Sequence, residues 1–552
     1  MKDLRTYLAQ LKAKAPDQIR FVKEPISWEY DVTSYVTEME RLRSNPALIF
    51  ENVKGSSIPM AVNLLGTVER INHAVNENTR DAGSRLGFYD EWNRRFGKDK
   101  DPIHVNSGPV KDLKFKGSKV DLTSLPIPKF YEQDGGRYIT AGLFLARNPE
   151  NKEEVNLSFV RMHLQGKDRF GVSFHSRGHM WQYVEKAKAL GEPLDSAVVI
   201  GAHPALYLAA AAKITNEYHK AGALMGGPME LVRCDTVDLP VPASAEIVLE
   251  GQVMLEEENE GPFTEYTGYI SGRSTRNLFK VNAITRRKDS IFMAVAPSNS
   301  AEHLLLSGLP KQARISRAMM DFIHTPALDD IIWPVWGTHF ACFMTLKDTV
   351  RGSPGLAQQM SLLLLGLDHY VKLVGVLPEG TDLSDTGEVL EAIASRCDFV
   401  SGSGVNIVGT VYSQWLDPSS VKAGVSSKMI LDATGPMAQP SGEVQIEEAK
   451  KIPGIMNASP LSPDNQHLCI VRLDPKIRDI TGLLDYDELR GCRLIVCVND
   501  DIDMNDSRQI LWAISTRSQP ATAVHVRDGR LVLDARTGEN WTATRATLPF
   551  DR

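Results

Sequence analysis

The sequence predicts a multidomain chain of α+β and α/β type, with a strand-rich centre between two regions that mix strands and helices. Three observations carry this. The chain has 552 residues, too many for one core when a domain takes roughly 150. Short strand signals separated by Gly-rich turns dominate from about 130 to 325, the mark of a barrel or sandwich. After about 330 the rhythm becomes strand, helix, strand, which indicates an α/β region.

The chain opens with Leu4, Leu8 and Leu11 at helical spacing, so an amphipathic helix is expected there. A mixed α/β unit follows to about residue 115, with Ala47–Phe50 a buried strand and Asp90–Phe96 helical. The run Leu125-Pro-Ile-Pro128 makes a rigid extended link. Strands are expected over Tyr138–Leu145, Val155–Val160, Ala197–Ile200, Ala245–Leu249 and Ile291–Val295, with a helix at Met180–Leu190. In the last region Tyr370–Leu377 reads as strand, Asp385–Arg396 as helix and Met429–Thr434 as the closing segment. The order recurs weakly as Arg493–Val498, the helix Arg508–Arg517 and Leu531–Arg536, which suggests a duplicated unit. Asp500, Asp501 and Asp503 fit a capped turn before a helix better than a cation site, and Gly402-Ser-Gly404 is a plain turn.

Composition narrows the function classes. Apolar residues are 42% and charged residues 24%, as in ordinary globular chains. The net charge of -7 without a basic run argues against nucleic acid as a partner. The six cysteines form no Cys-x-x-Cys pair, which suits reduced thiols and a cytoplasmic setting. The start Met1–Leu8 lacks the apolar core of a signal peptide. Met360–Leu367 is too short for a membrane span before Asp368, His369 and Lys372 interrupt it, since a span needs about 20 residues.

The chemistry is expected around Asn259-Glu-Gly-Pro-Phe-Thr-Glu265, running into Tyr266–Tyr269. Gly261-Pro262 forces a turn that can bring Glu260 and Glu265 together. Close carboxyls do not both ionise easily, so one can keep a proton and act as a general acid. Read by pattern alone the stretch is rather a solvated acidic loop, because Glu256, Glu257 and Glu258 stand just upstream.

Several segments then occur in order: Asn156-Leu-Ser-Phe-Val-Arg161, His179-Met-Trp-Gln182, Glu217-Tyr218, the stretch Leu231–Gly251, and Glu260-Gly-Pro-Phe-Thr-Glu265. This series resembles the UbiD family of prenylated-FMN-dependent reversible decarboxylases. The resemblance runs from roughly residue 1 to 435, is densest over 156–269, and includes Ser427–Thr434. It implies an N-terminal α/β domain at 1–115, a split β-barrel cofactor domain related to flavin reductases at 116–325, and a C-terminal α/β oligomerisation domain at 326–552.

The resemblance also implies roles. Manganese would be held by Asn156, His179 and Glu217, with potassium nearby, and the cofactor by Asn156, Ser158, Phe159, Arg161, Gly178, His179 and Glu217. An amide oxygen, a carboxylate and one imidazole suit manganese. Read alone, His179 beside Trp181 is a core histidine and Glu217 a helix carboxylate. Arg161, Glu260 and Glu265 would form the catalytic network, with Glu265 the general acid and Arg161 between the two carboxylates. Arg161 read alone is a salt bridge in the barrel. His303 is a candidate substrate contact. The implied substrate is an α,β-unsaturated, aromatic or heteroaromatic carboxylic acid, decarboxylated with release of carbon dioxide or formed by its uptake. A flavin prenyltransferase would supply the cofactor, and the assembly would be a homodimer or larger homo-oligomer. The alternatives are a flavin reductase using unmodified FMN and a non-catalytic cofactor-binding subunit.

Overall fold

The computed structural model describes residues 2–76, 81–174, 178–322, 327–350, 353–439, 442, 444–462, 465–538 and 541–549. It divides into two compact units, one of Met1–Ala313 with Thr544–Arg552 and one of Arg314–Ala543.

The first unit begins with the helix Leu4–Lys14. Asp3 caps it reciprocally: its carboxylate accepts from Thr6 N and its own N–H donates to the Thr6 hydroxyl, both at 2.8 Å. Leu4, Tyr7 and Leu11 are buried, so Tyr7 takes the place expected for Leu8. Four strands make the first sheet, in the order Ile19–Val22, Ala47–Phe50, Met60–Val62 and Phe292–Ala294. The last corrects an expectation. The sequence places this strand with those of the central region, but it pairs parallel to Met60–Val62. Phe292, Met293 and Ala294 are all buried, and a run without a polar face suits a covered parallel pairing.

The second sheet has nine strands. Its path runs Tyr138–Ile139, Met162–Leu164, Arg169–Val172, Ser274–Arg286, Ile247–Glu260, Leu194–Ile200, Leu143–Asn148 and Asn151–Phe159, with Leu113–Lys116 added to Ser274–Arg286. Every pairing is antiparallel. The two long central strands carry register shifts at Glu250/Gly251 and Val253/Glu257, and such bulges curl a sheet. At Gly251 a Cβ would run into the Lys280 carbonyl, so the bulge needs glycine. Phe144 packs edge-on to Phe174 at 5.3 Å and to Phe279 at 5.0 Å, each contact adding about 1 kcal/mol beyond burial.

The second unit holds two five-stranded sheets. One runs Leu328–Ile332, Ala341–Leu346, Leu373–Pro378, Val425–Asp432, Val405–Tyr412. The other runs Ile455–Ser462, Asn465–Leu473, Leu494–Val498, Arg530–Asp534, Val524–Arg527. In both, successive pairings are antiparallel, parallel, parallel and antiparallel. The helices Thr386–Arg396 and Ser507–Arg517 are capped by Asp385 and Asp506. The cap is therefore Asp506, while Asp501 of the expected turn pairs with Arg517. The helix Leu356–Leu367 buries Ala357, Met360 and Leu364 but leaves Leu362 and Leu367 exposed. Among the described residues no helix is long and apolar enough to cross a membrane.

Candidate active site

Arg161 lies just past the strand Asn151–Phe159, and Glu260 ends the strand Ile247–Glu260. That strand carries Glu256 and Glu257 on its exposed part and ends in a fully buried Glu260, so the solvated acidic loop does not form. Arg161 Nε donates to Glu260 Oε1 at 2.8 Å and Nη2 to Oε2 at 2.9 Å, while Nη1 donates to Glu265 Oε1. Burial disfavours the guanidinium charge, but Glu265 and Glu260 outweigh it and hold Arg161 more firmly protonated than usual. The two carboxylates thus share a cation. The Phe263 ring lies 5.0 Å from the guanidinium carbon, a cation–π contact supplied by the same short motif.

The turn between the two acids is fixed from outside. Gly261 has φ +84, and a Cβ there would stand 2.7 Å from Gly272 O. The Gly261–Pro262 peptide is cis. The Tyr138 hydroxyl accepts from Gly261 N at 3.1 Å and donates to Pro262 O at 3.0 Å. Gly135 N donates to Pro262 O at 2.7 Å. The buried Asp134 carboxylate accepts from Thr264 N and the Thr264 hydroxyl, both at 2.9 Å, and from Tyr131 N at 2.9 Å. Burial pushes Asp134 up to about 6 against these donors. His163 stacks on Tyr138 with centroids 4.4 Å apart, and burial pushes it down to about 4, so it is neutral at pH 7. Sequence reasoning singled out none of Asp134, Tyr138 and His163. The one available signal was the turn-forming Asp134-Gly-Gly.

A second cluster lies on the same strand. Asn156 and Ser158 share one face by the two-residue alternation of a strand, and Ser158 Oγ donates to Asn156 Oδ1 at 2.8 Å. Asn156 Nδ2 donates to Glu217 Oε1 at 2.7 Å and lies 3.5 Å from His179 Nδ1. His179 and Glu217 each begin a helix, His179–Leu190 and Glu217–Met225. Glu217 is buried, and among the described residues its Oε2 has no hydrogen-bond partner. Burial pushes this carboxyl up to about 8, with the Asn156 bond and backbone donors only partly opposing. An orphaned carboxylate oxygen beside an amide and an imidazole fits a hard divalent cation. Among the described residues no three His, Cys, Asp or Glu side chains cluster for a metal; this set counts Asn156 as its third member. Gly178 caps the His179 helix, and Phe159 turns its ring to Tyr207 at 5.8 Å.

His303 sits in the first turn of the helix Ala301–Phe322. Glu302 beside it accepts from Asn63 N at 2.7 Å and Leu65 N at 2.9 Å, which anchors that turn. His303 Nδ1 lies 2.9 Å from Ser298 O. A carbonyl only accepts, so Nδ1 carries the proton. The ring meets Tyr266 edge-on at 6.4 Å, and burial lowers its pKa despite the nearby Glu265 charge. A separate cavity of about 220 Å³, lined by Leu346, Asp348, Leu356, Pro378 and Asp432, lies in the second unit and includes none of these residues.

Comparisons with known proteins identify the family. The 3-octaprenyl-4-hydroxybenzoate carboxy-lyase N-terminal domain matches residues 11–88, its Rift-related domain residues 103–300, and its C-terminal domain residues 306–433 and 445–540. The chain is 31% identical over 431 residues to anhydromevalonate phosphate decarboxylase of Methanothermobacter thermautotrophicus, covering 77% of this chain and 96% of that one. The UbiD-class enzyme HmfF from Pelotomaculum thermopropionicum, in complex with FMN, superposes with a TM-score of 0.72 at 31% identity, covering 82% of this chain and 99% of that one. An evolved dimeric form of HmfF in complex with prFMN superposes with a TM-score of 0.69 at 28% identity, covering 81% and 98%. The fold and these matches define a carboxy-lyase. The chain belongs to the UbiD family, and the likeness extends beyond the residue 435 where the sequence resemblance was expected to stop.

Proposed function

We propose that this chain catalyses reversible, non-oxidative decarboxylation of an α,β-unsaturated, aromatic or heteroaromatic carboxylic acid with prenylated FMN. The observation that carries the reading is Arg161 shared between Glu260 and Glu265. Family membership supports the reaction class, and neighbours in complex with FMN or prFMN support a flavin.

Asn156, His179 and Glu217 would hold a manganese ion at the cofactor phosphate, with Ser158, Phe159, Arg161 and Gly178 also around the cofactor. The Glu217 Oε2 atom, without a hydrogen-bond partner among the described residues, supports this. Potassium is expected nearby, with no residue assigned to it. When bound, the flavin supplies the electron sink for the C–C bond electrons as carbon dioxide leaves. The protein residues manage the proton. Glu260 has both oxygens on Arg161 and a side chain 0% exposed, whereas the Glu265 side chain is 12% exposed. Glu265 can therefore reload from solvent, and it donates to the carbon that loses the carboxylate. In carboxylation it removes that proton. His303 borders the same space and would touch substrate.

In this reading residues 1–115, 116–325 and 326–552 serve as N-terminal, split-barrel cofactor and C-terminal oligomerisation domains. The last comprises two copies of one unit. Support comes from the matching strand orders and from reciprocal contacts. Lys372, just before Leu373–Pro378, donates to Ser518 O at 3.2 Å, the cap of Ser507–Arg517. Arg493, just before Leu494–Val498, donates to Cys397 O at 2.7 Å, the cap of Thr386–Arg396. Equivalent residues exchanging equivalent contacts is the pattern of an isologous pair.

The test is a panel of cinnamic, phenolic, furan, pyrrole and phenazine acids, offered in heavy water to protein co-produced with or without a flavin prenyltransferase. Carbon dioxide release with product deuteration, only after co-production, is the expected result. Hydride transfer from a nicotinamide to unmodified FMN without that release would identify a flavin reductase. Bound cofactor with neither activity would identify a non-catalytic subunit.

A further inference from the structure

We infer that the segment Thr544–Pro549 is a positioning strap for Glu265, reaching the acid through the loop that carries it. This rests on the role proposed for Glu265 above. The segment lies beyond residue 540, the last that the family models match, and it belongs to the unit that holds Glu265.

Glu265 stands in a small hairpin, Phe263–Thr264 paired with Ile270–Ser271. Its N–H donates to Tyr269 O and its carbonyl accepts from Gly268 N, both at 2.9 Å. The outer edge of that loop is taken by the segment. Ile270 N donates to Thr544 O and Ala546 N to Gly268 O, both at 2.9 Å, around an antiparallel bridge of Tyr269 with Arg545. The strap then grips the loop that holds Thr264. Thr547 N donates to Gln133 Oε1 at 3.1 Å, Gln133 Nε2 donates to Thr547 Oγ1 at 2.6 Å, and Thr547 Oγ1 donates to Glu132 Oε2 at 3.0 Å. Glu132 N donates to Thr547 O at 3.2 Å. Two residues on, Asp134 holds Thr264. Leu548 is buried 4% exposed and pins the end of the strap. Glu265 is therefore bracketed from two sides, by its hairpin and by the loop that holds Thr264, and this segment bonds to both. A displacement of 1 Å in a reacting group costs on the order of 10²-fold in rate, so a loop on a free edge would carry the acid poorly.

The test compares the full chain with a chain ending at Asn540, and with Thr547→Val and Thr547→Ser in the full chain. Hydrogen exchange over residues 264–272 should accelerate in the shortened chain and in Thr547→Val, and stay near the parent rate in Thr547→Ser, which keeps the hydroxyl. Bound flavin and KM should hold while kcat falls by about 10²-fold in the shortened chain. A synthetic peptide of residues 541–552 should restore protection. Unchanged exchange over 264–272 after shortening overturns the proposal, as does faster exchange with unchanged kcat and product deuteration. If the full chain turns over none of the acids, the functional reading fails by itself. The exchange measurement then still decides whether the segment holds the Glu265 loop.

Discussion

Arg161 meets Glu260 edge to edge, with Nε 2.8 Å from Oε1 and Nη2 2.9 Å from Oε2, and the carboxylate is out of contact with water. Removing one partner of a buried pair leaves the other charge uncompensated and costs about 3–5 kcal/mol. Glu260→Gln should therefore lower the stability of the first unit by that order, read as a fall in the urea midpoint. Turnover should fall with it, because Arg161, already bonded to Glu265, then has that carboxylate as its remaining charged partner in the network. A midpoint equal to the parent's would show that the pair contributes no net stability.

Glu265→Gln keeps the shape of the side chain and removes its proton. General acid catalysis is worth about 10²–10⁴-fold, so kcat should drop by that order with flavin still bound. Glu265→Asp should retain more activity. Near-parental turnover and product deuteration in Glu265→Gln would move the donor role to another group or to water.

In the site we propose, His179→Ala should lose manganese and flavin together, because the ion would link the cofactor phosphate to the protein. Elemental analysis and the flavin absorbance of the purified variant measure this directly. Full flavin occupancy in His179→Ala after chelator treatment would sink the ligand assignment.

Asp134 titrates at about 6 in the fold, raised by burial above its ordinary value of 3.8. Between about pH 4 and 6 the folded chain holds a proton that the unfolded chain releases, so this group's stabilising contribution is full below pH 4 and declines as pH rises through 6. Asp134→Asn cannot titrate and should lack that decline. Urea unfolding at pH 4, 5, 6 and 7 should show the parent losing stability relative to Asp134→Asn across the window. A constant difference would place the Asp134 pKa at its unfolded value.

The chain should be a homodimer or a larger homo-oligomer in solution. Closed symmetric assembly is the commonest form of soluble oligomer, a structural neighbour is an evolved dimeric form, and Leu362 and Leu367 are exposed on the helix Leu356–Leu367. Light scattering across the micromolar range should give a multiple of 61.1 kDa. A monomer mass throughout would refute this.

Local pattern alone determined a good deal. The strand Ala47–Phe50 is fully buried as its apolar run requires, and the helices near Asp385 and Met180 form within a residue or two of their expected bounds. These are short-range signals: period, caps and turn residues act within a few positions. The motif Glu260–Glu265 was also legible, because its residue types and spacing are contiguous in the chain.

Tertiary structure decided the rest, because the deciding contacts are long-range. Ile291–Val295 reads as one more strand, and only burial on both sides sends Phe292–Ala294 beside Met60–Val62 instead of into the nine-stranded sheet. Local pattern does not show that Arg161 stands between Glu260 and Glu265; the family resemblance alone implies it, since the arrangement depends on where two strands end in a curled sheet. Asp134 carries only the local signal of a turn, and Thr547 carries none. Their hydrogen bonds span 130 and 414 positions, and side chains that act at such separations are recognised only once the fold has brought them together.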